Sequence, residues 1–239
     1  MGPVFIALDF AEAQTALAFL DQFPDSEPLA VKVGMELYYA AGPEIIQELR
    51  RRHATIFLDL KLCDIPHTVE QAAAQLAAQE VSYLTVMALG GGTMIQQAKQ
   101  GLLRGSQQVG VQPAKLLAVT QLTSTSESQM NQDLQIPGSL GASVTHLAQL
   151  AQTNGADGVI ASALEDPQIH QATTDEFLCI NPGIRRTDNT NDDQKRVVTP
   201  QKAAALGSNG LVVGRPITQA SDPVASYHEF LKEWSAQHE

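Results

Sequence analysis

Val4-Phe5-Ile6-Ala7-Leu8-Asp9-Phe10 (VFIALDF) is an apolar run that ends on a carboxylate, with no glycine following it. A run of this kind reads as a strand. Seven further strand candidates follow Val4–Asp9: Leu29–Gly34, Thr55–Lys61, Tyr83–Met87, Lys115–Leu122, Gly158–Ser162, Phe177–Asn181 and Leu211–Gly214. Helical patterns lie between them, so the chain repeats a βα unit and specifies a parallel sheet. Two architectures fit such repetition. An open, doubly wound sheet normally carries a glycine-rich turn after its first strand, and Leu8-Asp9-Phe10 offers none. The expectation is an α/β fold, a (β/α)8 TIM barrel occupying residues 1–239 as a single domain, a length common for barrels.

The intervening segments carry helix marks. Glu12–Phe23 places Leu17, Leu20 and Phe23 on one side. Pro43–Arg52 begins with proline and ends in Arg50-Arg51-Arg52, where cations complement the helix dipole. That basic run reads as a solvated helix end rather than a nucleic-acid patch. Pro66–Gln79, Met94–Leu103, Val144–Thr153, Pro200–Leu206 and Pro223–Trp234 follow the same pattern, and Asp166–Thr173 is a weak helix candidate.

Composition narrows the function. Hydrophobic residues at 44% can bury a sizeable core, and charged residues at 17% argue against disorder. A formal charge of −11 is a poor match for nucleic acid, whose phosphates demand a basic surface. A small anion remains compatible, because a few cations can be concentrated in one cleft. Cys63 and Cys179 form neither zinc spacing nor a disulfide framework, which points to a reducing cytoplasm. No apolar run is long enough to span a bilayer, and strand-like sequence from Val4 leaves no space for a signal peptide. Met1-Gly2 does not continue into an acylation motif, since Ile6 holds the position that needs Ser or Thr.

Polar residues collect where the strands end: Asp9, Lys32, Asp59, Lys61, Asp64, Thr123, Arg185 and Arg215. In a barrel these ends share one face, the face that carries active sites. The most informative segment is Asp59-Leu60-Lys61-Leu62-Cys63-Asp64-Ile65-Pro66. Side chains alternate along a strand, so Asp59 and Lys61 are expected on one side, with Asp64 just beyond in the loop. An isolated Asp-x-Lys is at least as often a structural ion pair as a catalytic one. Here Lys32 on the adjacent strand adds a second ammonium, so lysines and carboxylates alternate in space. Carboxylates beside Lys61 favour its ammonium form, the state of a proton donor rather than of a Schiff-base nucleophile.

A second group lies far along the chain. Pro182-Gly183-Ile184-Arg185 follows the seventh strand, and the polar stretch 186–195 after it is a candidate lid. Gly214-Arg215 ends the eighth strand. Loops after strands seven and eight often hold phosphate in barrels, where glycine lets backbone approach and arginine offers paired donors. Gly90-Gly91-Gly92 reads as a βα turn, His67 as a bystander, and His146, His170, His228 and His238 show no metal spacing.

Asp59–Thr68 (DLKLCDIPHT) resembles the active-site signature of the orotidine 5′-phosphate decarboxylase family. The likeness extends in order through Ala7-Leu8-Asp9, Val31-Lys32-Val33-Gly34-Met35, Gln121-Leu122-Thr123-Ser124, Pro182-Gly183-Ile184-Arg185, Asp193-Gln194 and Val212-Val213-Gly214-Arg215. The resemblance implies a cytoplasmic lyase of pyrimidine biosynthesis that converts orotidine 5′-monophosphate to uridine 5′-monophosphate with no cofactor and no metal. It implies that Lys61 donates the proton, that Asp59 lies beside the substrate carboxylate, and that Lys32 and Asp64 complete a charged tetrad. Asp9 and Lys32 would hold the ribose, Thr123 the pyrimidine, and Gln194 would link base and phosphate. Arg185, Gly214 and Arg215 would bind the phosphoryl end. Asp64 and Thr68 would reach into a neighbouring subunit's site, which makes the expected assembly a homodimer with shared active sites.

Three positions depart from the family pattern, which commonly has His where Cys63 stands, Asn at His67 and His at Met87. None belongs to the tetrad. The nearest enzymatic alternative is the related group of keto-gulonate-phosphate decarboxylases and hexulose-phosphate synthases, which share Asp-x-Lys-x-x-Asp but use Mg²⁺. The IPxT extension and PGIR favour the first family. A non-catalytic nucleotide-binding protein is a third possibility, disfavoured by the intact Asp59, Lys61 and Asp64.

Overall fold

The structure, a computed structural model, describes residues 2–186 and 197–236. Eight parallel strands pair in chain order and close into a barrel. They are β1 (Val4–Ala7), β2 (Ala30–Gly34), β3 (Thr55–Leu62), β4 (Tyr83–Met87), β5 (Lys115–Val119), β6 (Gly158–Ile160), β7 (Leu178–Asn181) and β8 (Gly210–Val213). Closure is direct: Val4, Phe5 and Ile6 pair with Leu211, Val212 and Val213. Helix Pro223–Ser235 covers this seam. Its Trp234 indole donates to the Gly2 carbonyl at 2.9 Å, and Tyr227 lies with its hydroxyl 3.4 Å from the Val4 carbonyl.

The barrel is filled, as eight strands require. Phe5 meets Phe57 and Tyr83 edge-on, with ring centroids 5.2 and 5.3 Å apart. Leu117, Val119, Ile160, Ile180 and Val212 complete this inner cluster. Alternate residues face outward, where Val31, Val33, Leu58, Leu84 and Leu116 pack beneath the helices. The two-faced burial explains why the strands read as continuous apolar runs.

Observed strands are shorter at their C-terminal ends than the apolar runs suggest. The run to Asp9 stops pairing regularly at Ala7, and the run to Leu122 stops at Val119. Asp9 and Leu122 are exposed, because the chain bends outward there to build the loops above the barrel. The weak candidate Asp166–Thr173 is a helix over Asp166–Ala172. Its anchor is tertiary: the fully buried Asp166 accepts from Ser208 Oγ at 2.6 Å and Asn181 Nδ2 at 2.9 Å. Met35–Ala41 and Glu127–Gln132 are helices that periodicity did not single out. The second is marked locally by a Ser126/Gln129 capping box.

Helix Pro66–Ala77 and helix Gly92–Val109 lie unusually close. A Cβ at Gly101 or Gly105 would strike the carbonyl oxygens of Glu70 and Ala74. The contact fixes the helix that begins directly after Asp64. Arg50, Arg51 and Arg52 all pair with acids, to Glu80, Glu48 and Asp21, in keeping with a solvated helix end.

Candidate active site

The ends of β1, β2 and β3 bring four charged groups into a row. Asp9 Oδ1 lies 3.0 Å from Lys32 Nζ, and Lys32 Nζ lies 3.7 Å from Asp59 Oδ2. Lys61 Nζ donates to the same Asp59 oxygen at 2.9 Å. Strand register causes the first half of this row: Gly34 pairs with Asp59 and Lys32 with Phe57, so Lys32 reaches Asp59 from two residues away. Lys32 and Asp59 are 8% and 9% exposed. Charges so buried persist only when paired, and here each ion has an opposite neighbour on either side. Gly34 contributes by absence, since a Cβ there would come 3.1 Å from Lys32 Nζ.

Simple alternation does not carry through to Lys61. Pairing of β3 with β4 runs Phe57 to Tyr83 and Leu58 to Leu84, then shifts so that Leu62 meets Val86. Lys61 inside this bulge takes φ +52°, a left-handed conformation uncommon outside glycine. The two side chains meet as expected, but through a re-aimed backbone. Thr85 on β4 is wholly buried at the bulge. Its hydroxyl accepts from the Lys61 backbone N–H at 2.9 Å and donates to Asp59 Oδ1 at 3.0 Å.

Asp64 and Thr68 stand apart from the row. Both are exposed, as is Ile65 at 66%. The Asp64 carboxylate accepts the Ile65 N–H at 2.6 Å and has no salt bridge among the described residues. Within one chain the charged row is therefore Asp9, Lys32, Asp59 and Lys61; of the expected tetrad Lys32, Asp59, Lys61 and Asp64, the first three lie in this row and Asp64 lies outside it.

The residues that directly follow β7 and β8 stand at the same end of the barrel. Gly183 takes φ +78°, which turns the chain sharply out of β7. Arg185 is only 6% exposed, and its Nη1 donates to the Ile184 carbonyl at 2.9 Å. An isolated parallel bridge joins Ile184 to Val198 and holds together the two ends of the stretch between them. Gln194 lies outside the described residues. Gly214 approaches β1: a Cβ there would sit 3.6 Å from Ala7 Cβ and 3.7 Å from Asp9 Oδ2. Arg215 follows at the start of the short helix Arg215–Thr218.

Beside the charged row lies a cavity of about 170 Å³, lined by Lys32, Asp59, Lys61, Thr123 and Gln121 with an apolar floor from Phe57, Val119, Ile160, Pro182 and Val212. Whole small-molecule sites run to about 300–1,000 Å³, so this space holds only part of a ligand of that size. A family model described as "Orotidine 5'-phosphate decarboxylase / HUMPS family" matches residues 2–230.

The chain belongs to this family.

Among its relatives, the orotidine 5′-phosphate decarboxylase of Lactiplantibacillus plantarum is 54% identical over 98% of both chains. That of Enterococcus faecalis is 50% identical over 96% of this chain and 97% of its own. The crystal structure of orotidine 5′-phosphate decarboxylase from Lactobacillus acidophilus superposes with a TM-score of 0.89, at 42% identity, covering 99% of this chain and 100% of that one.

In this member of the decarboxylase family none of the three departures lines the cavity beside the charged row. Cys63 and His67 are exposed, while Met87 packs partly against the inner cluster. Thr85 and the buried Gln121, whose Nε2 donates to Ser143 Oγ at 3.0 Å, were not singled out as site residues from sequence. A threonine within an apolar strand is an ordinary β residue, so only the bulge reveals Thr85. Among the described residues no helix is long and apolar enough to cross a membrane.

Proposed function

We propose that residues 1–239 form one catalytic domain that decarboxylates orotidine 5′-monophosphate to uridine 5′-monophosphate without a cofactor. The observation that carries this reading is the Asp9–Lys32–Asp59–Lys61 row, whose last three members line one edge of a cavity with an apolar floor. Loss of CO2 from C6 of the pyrimidine leaves a carbanion with no carbonyl placed to delocalise it. Catalysis then depends on charge fixed where the new charge develops. Lys61, on the cavity wall, is the group to stabilise that carbanion and then to protonate it.

Asp59 would face the departing carboxylate. Two like charges about 4 Å apart at an effective dielectric near 20 repel by roughly 4 kcal/mol. Release of CO2 removes that repulsion, while the Lys32 and Lys61 ammoniums keep Asp59 in place. The C–C bonding pair stays on C6, and a Lys61 proton then forms the new C6–H bond. Asp9 and Lys32 would hold the ribose, and Thr123 the base. Arg185, Gly214 and Arg215 would take the phosphate, with Gln194 joining base to phosphate. Phosphate binding energy can then be directed to closing the site over the ring.

The proposal includes a homodimer. Asp64 and Thr68 face solvent in the single chain, and Asp64 lacks an ionic partner among the described residues, which supports their serving a second copy. Turnover of orotidylate by purified protein, followed through loss of substrate absorbance in excess chelator, tests the reading. Rapid conversion to uridylate and CO2 is expected. No conversion, or activity only with added Mg²⁺, overturns it.

A further inference from the structure

We infer that Thr85 is a positioning residue for the reaction, setting both the backbone of Lys61 and the carboxylate of Asp59 through one hydroxyl. This rests on the reading of Lys61 and Asp59 as the reacting pair. The observations are local. The stretch of β3 from Leu58 to Leu62 spans only what Leu84 to Val86 span on β4. Such a bulge takes backbone groups out of the ladder, and a buried N–H left unpaired costs stability. The Thr85 hydroxyl fills the gap by accepting the Lys61 N–H at 2.9 Å. Lys61 is thereby held at φ +52°, a conformation its own residue type disfavours.

A hydroxyl has one proton to give. Thr85 gives it to Asp59 Oδ1 at 3.0 Å, which leaves Asp59 Oδ2 turned toward Lys61 Nζ at 2.9 Å and Lys32 Nζ at 3.7 Å. One fully buried atom thus orients the carboxylate, and the same atom orients the backbone that carries the ammonium. Sites whose groups must be held within about 0.5 Å of productive geometry depend on such support. Valine has the same shape without the hydroxyl, while serine keeps the hydroxyl without the methyl.

The test compares Thr85→Val and Thr85→Ser with the parent in steady-state turnover and in uridylate binding. Thr85→Val is expected to lose at least about tenfold in kcat, with uridylate affinity within about threefold of the parent. Thr85→Ser is expected to recover most of that loss. Equal kcat in Thr85→Val and the parent would overturn the proposal. So would equal losses in both variants, or a kcat loss matched by a loss of uridylate affinity. Should Thr85→Val fail to fold, Thr85→Ala replaces it in the same comparison. Failure of both to fold would make Thr85 a structural residue and overturn the proposal equally. Lys61→Ala run in parallel keeps the two ideas apart: near-parental turnover there removes the underlying reading, whatever Thr85 does.

Discussion

Asp166→Asn should change how stability depends on pH. Asp166 begins its helix with no exposed surface, held by Ser208 Oγ and Asn181 Nδ2. Burial raises its pKa from 3.8 to about 7, only partly opposed by those hydrogen bonds and by His170. The folded protein therefore holds this proton over a range in which the unfolded chain has released it. Unfolding free energy must fall with rising pH by about 1.4 kcal/mol per unit between the two pKa values. Over that interval the loss is on the order of 4 kcal/mol, a large share of the about 5–15 kcal/mol typical of a domain. Asparagine keeps the shape and the contact to Asn181, and Ser208 can turn its hydroxyl to accept from the new amide. The stabilising contribution of the acid is present below about pH 4 and lost by about pH 7 to 8. Urea unfolding of both proteins at fixed protomer concentration from pH 4 to 8 is the assay. Subtracting the two curves cancels the other titrating groups. The Asp166→Asn variant should gain on the parent steadily with pH. Parallel curves would refute the argument that an ionised Asp166 is the cost.

Lys61→Ala is expected to abolish nearly all turnover while leaving uridylate binding and the fold largely intact, because the ammonium acts on a charge that exists only in the transition state; near-normal kcat would remove it from that role. Arg215→Ala should mainly weaken substrate affinity, by about one to two decades for a charge-assisted bond of roughly 1.5–3 kcal/mol. Phosphite in solution should restore part of that loss; if orotidine reacted as well as orotidylate in the parent, the phosphate account would fail. Lys61→Ala and Asp64→Ala should complement when mixed. A heterodimer collects both lesions in one site and neither in the other, so random exchange restores about a quarter of all sites. Subunit exchange seen by native mass spectrometry without regained activity would place Asp64 outside the neighbouring site.

The βα repetition and most of the charged row are legible along the chain, and the barrel is the architecture they favour. Eight apolar runs at βα spacing leave few ways to bury both faces of a parallel sheet, and the lack of glycine after Leu8 turned the choice toward closure. Lys32, Asp59 and Lys61 were legible because charged side chains within apolar strands are costly without partners. Helix ends and strand ends were less legible, since periodicity does not record where pairing stops. Helix Asp166–Ala172 reads only weakly in the sequence because its anchor, Asp166 against Ser208 and Asn181, joins residues 15 and 42 positions apart.

How Asp59 and Lys61 meet is visible only in the folded chain. Period-two alternation pointed to the right pair for an incomplete reason: the chain reaches that geometry through a bulge, a left-handed Lys61 and a hydroxyl from the next strand. Such a device depends on the register between β3 and β4, a relation between distant segments that local pattern does not carry. The apolar floor was hidden for the same reason. Phe57, Val119, Ile160 and Val212 look like any core residues until closure of the barrel turns the upper ends of four strands toward one cavity.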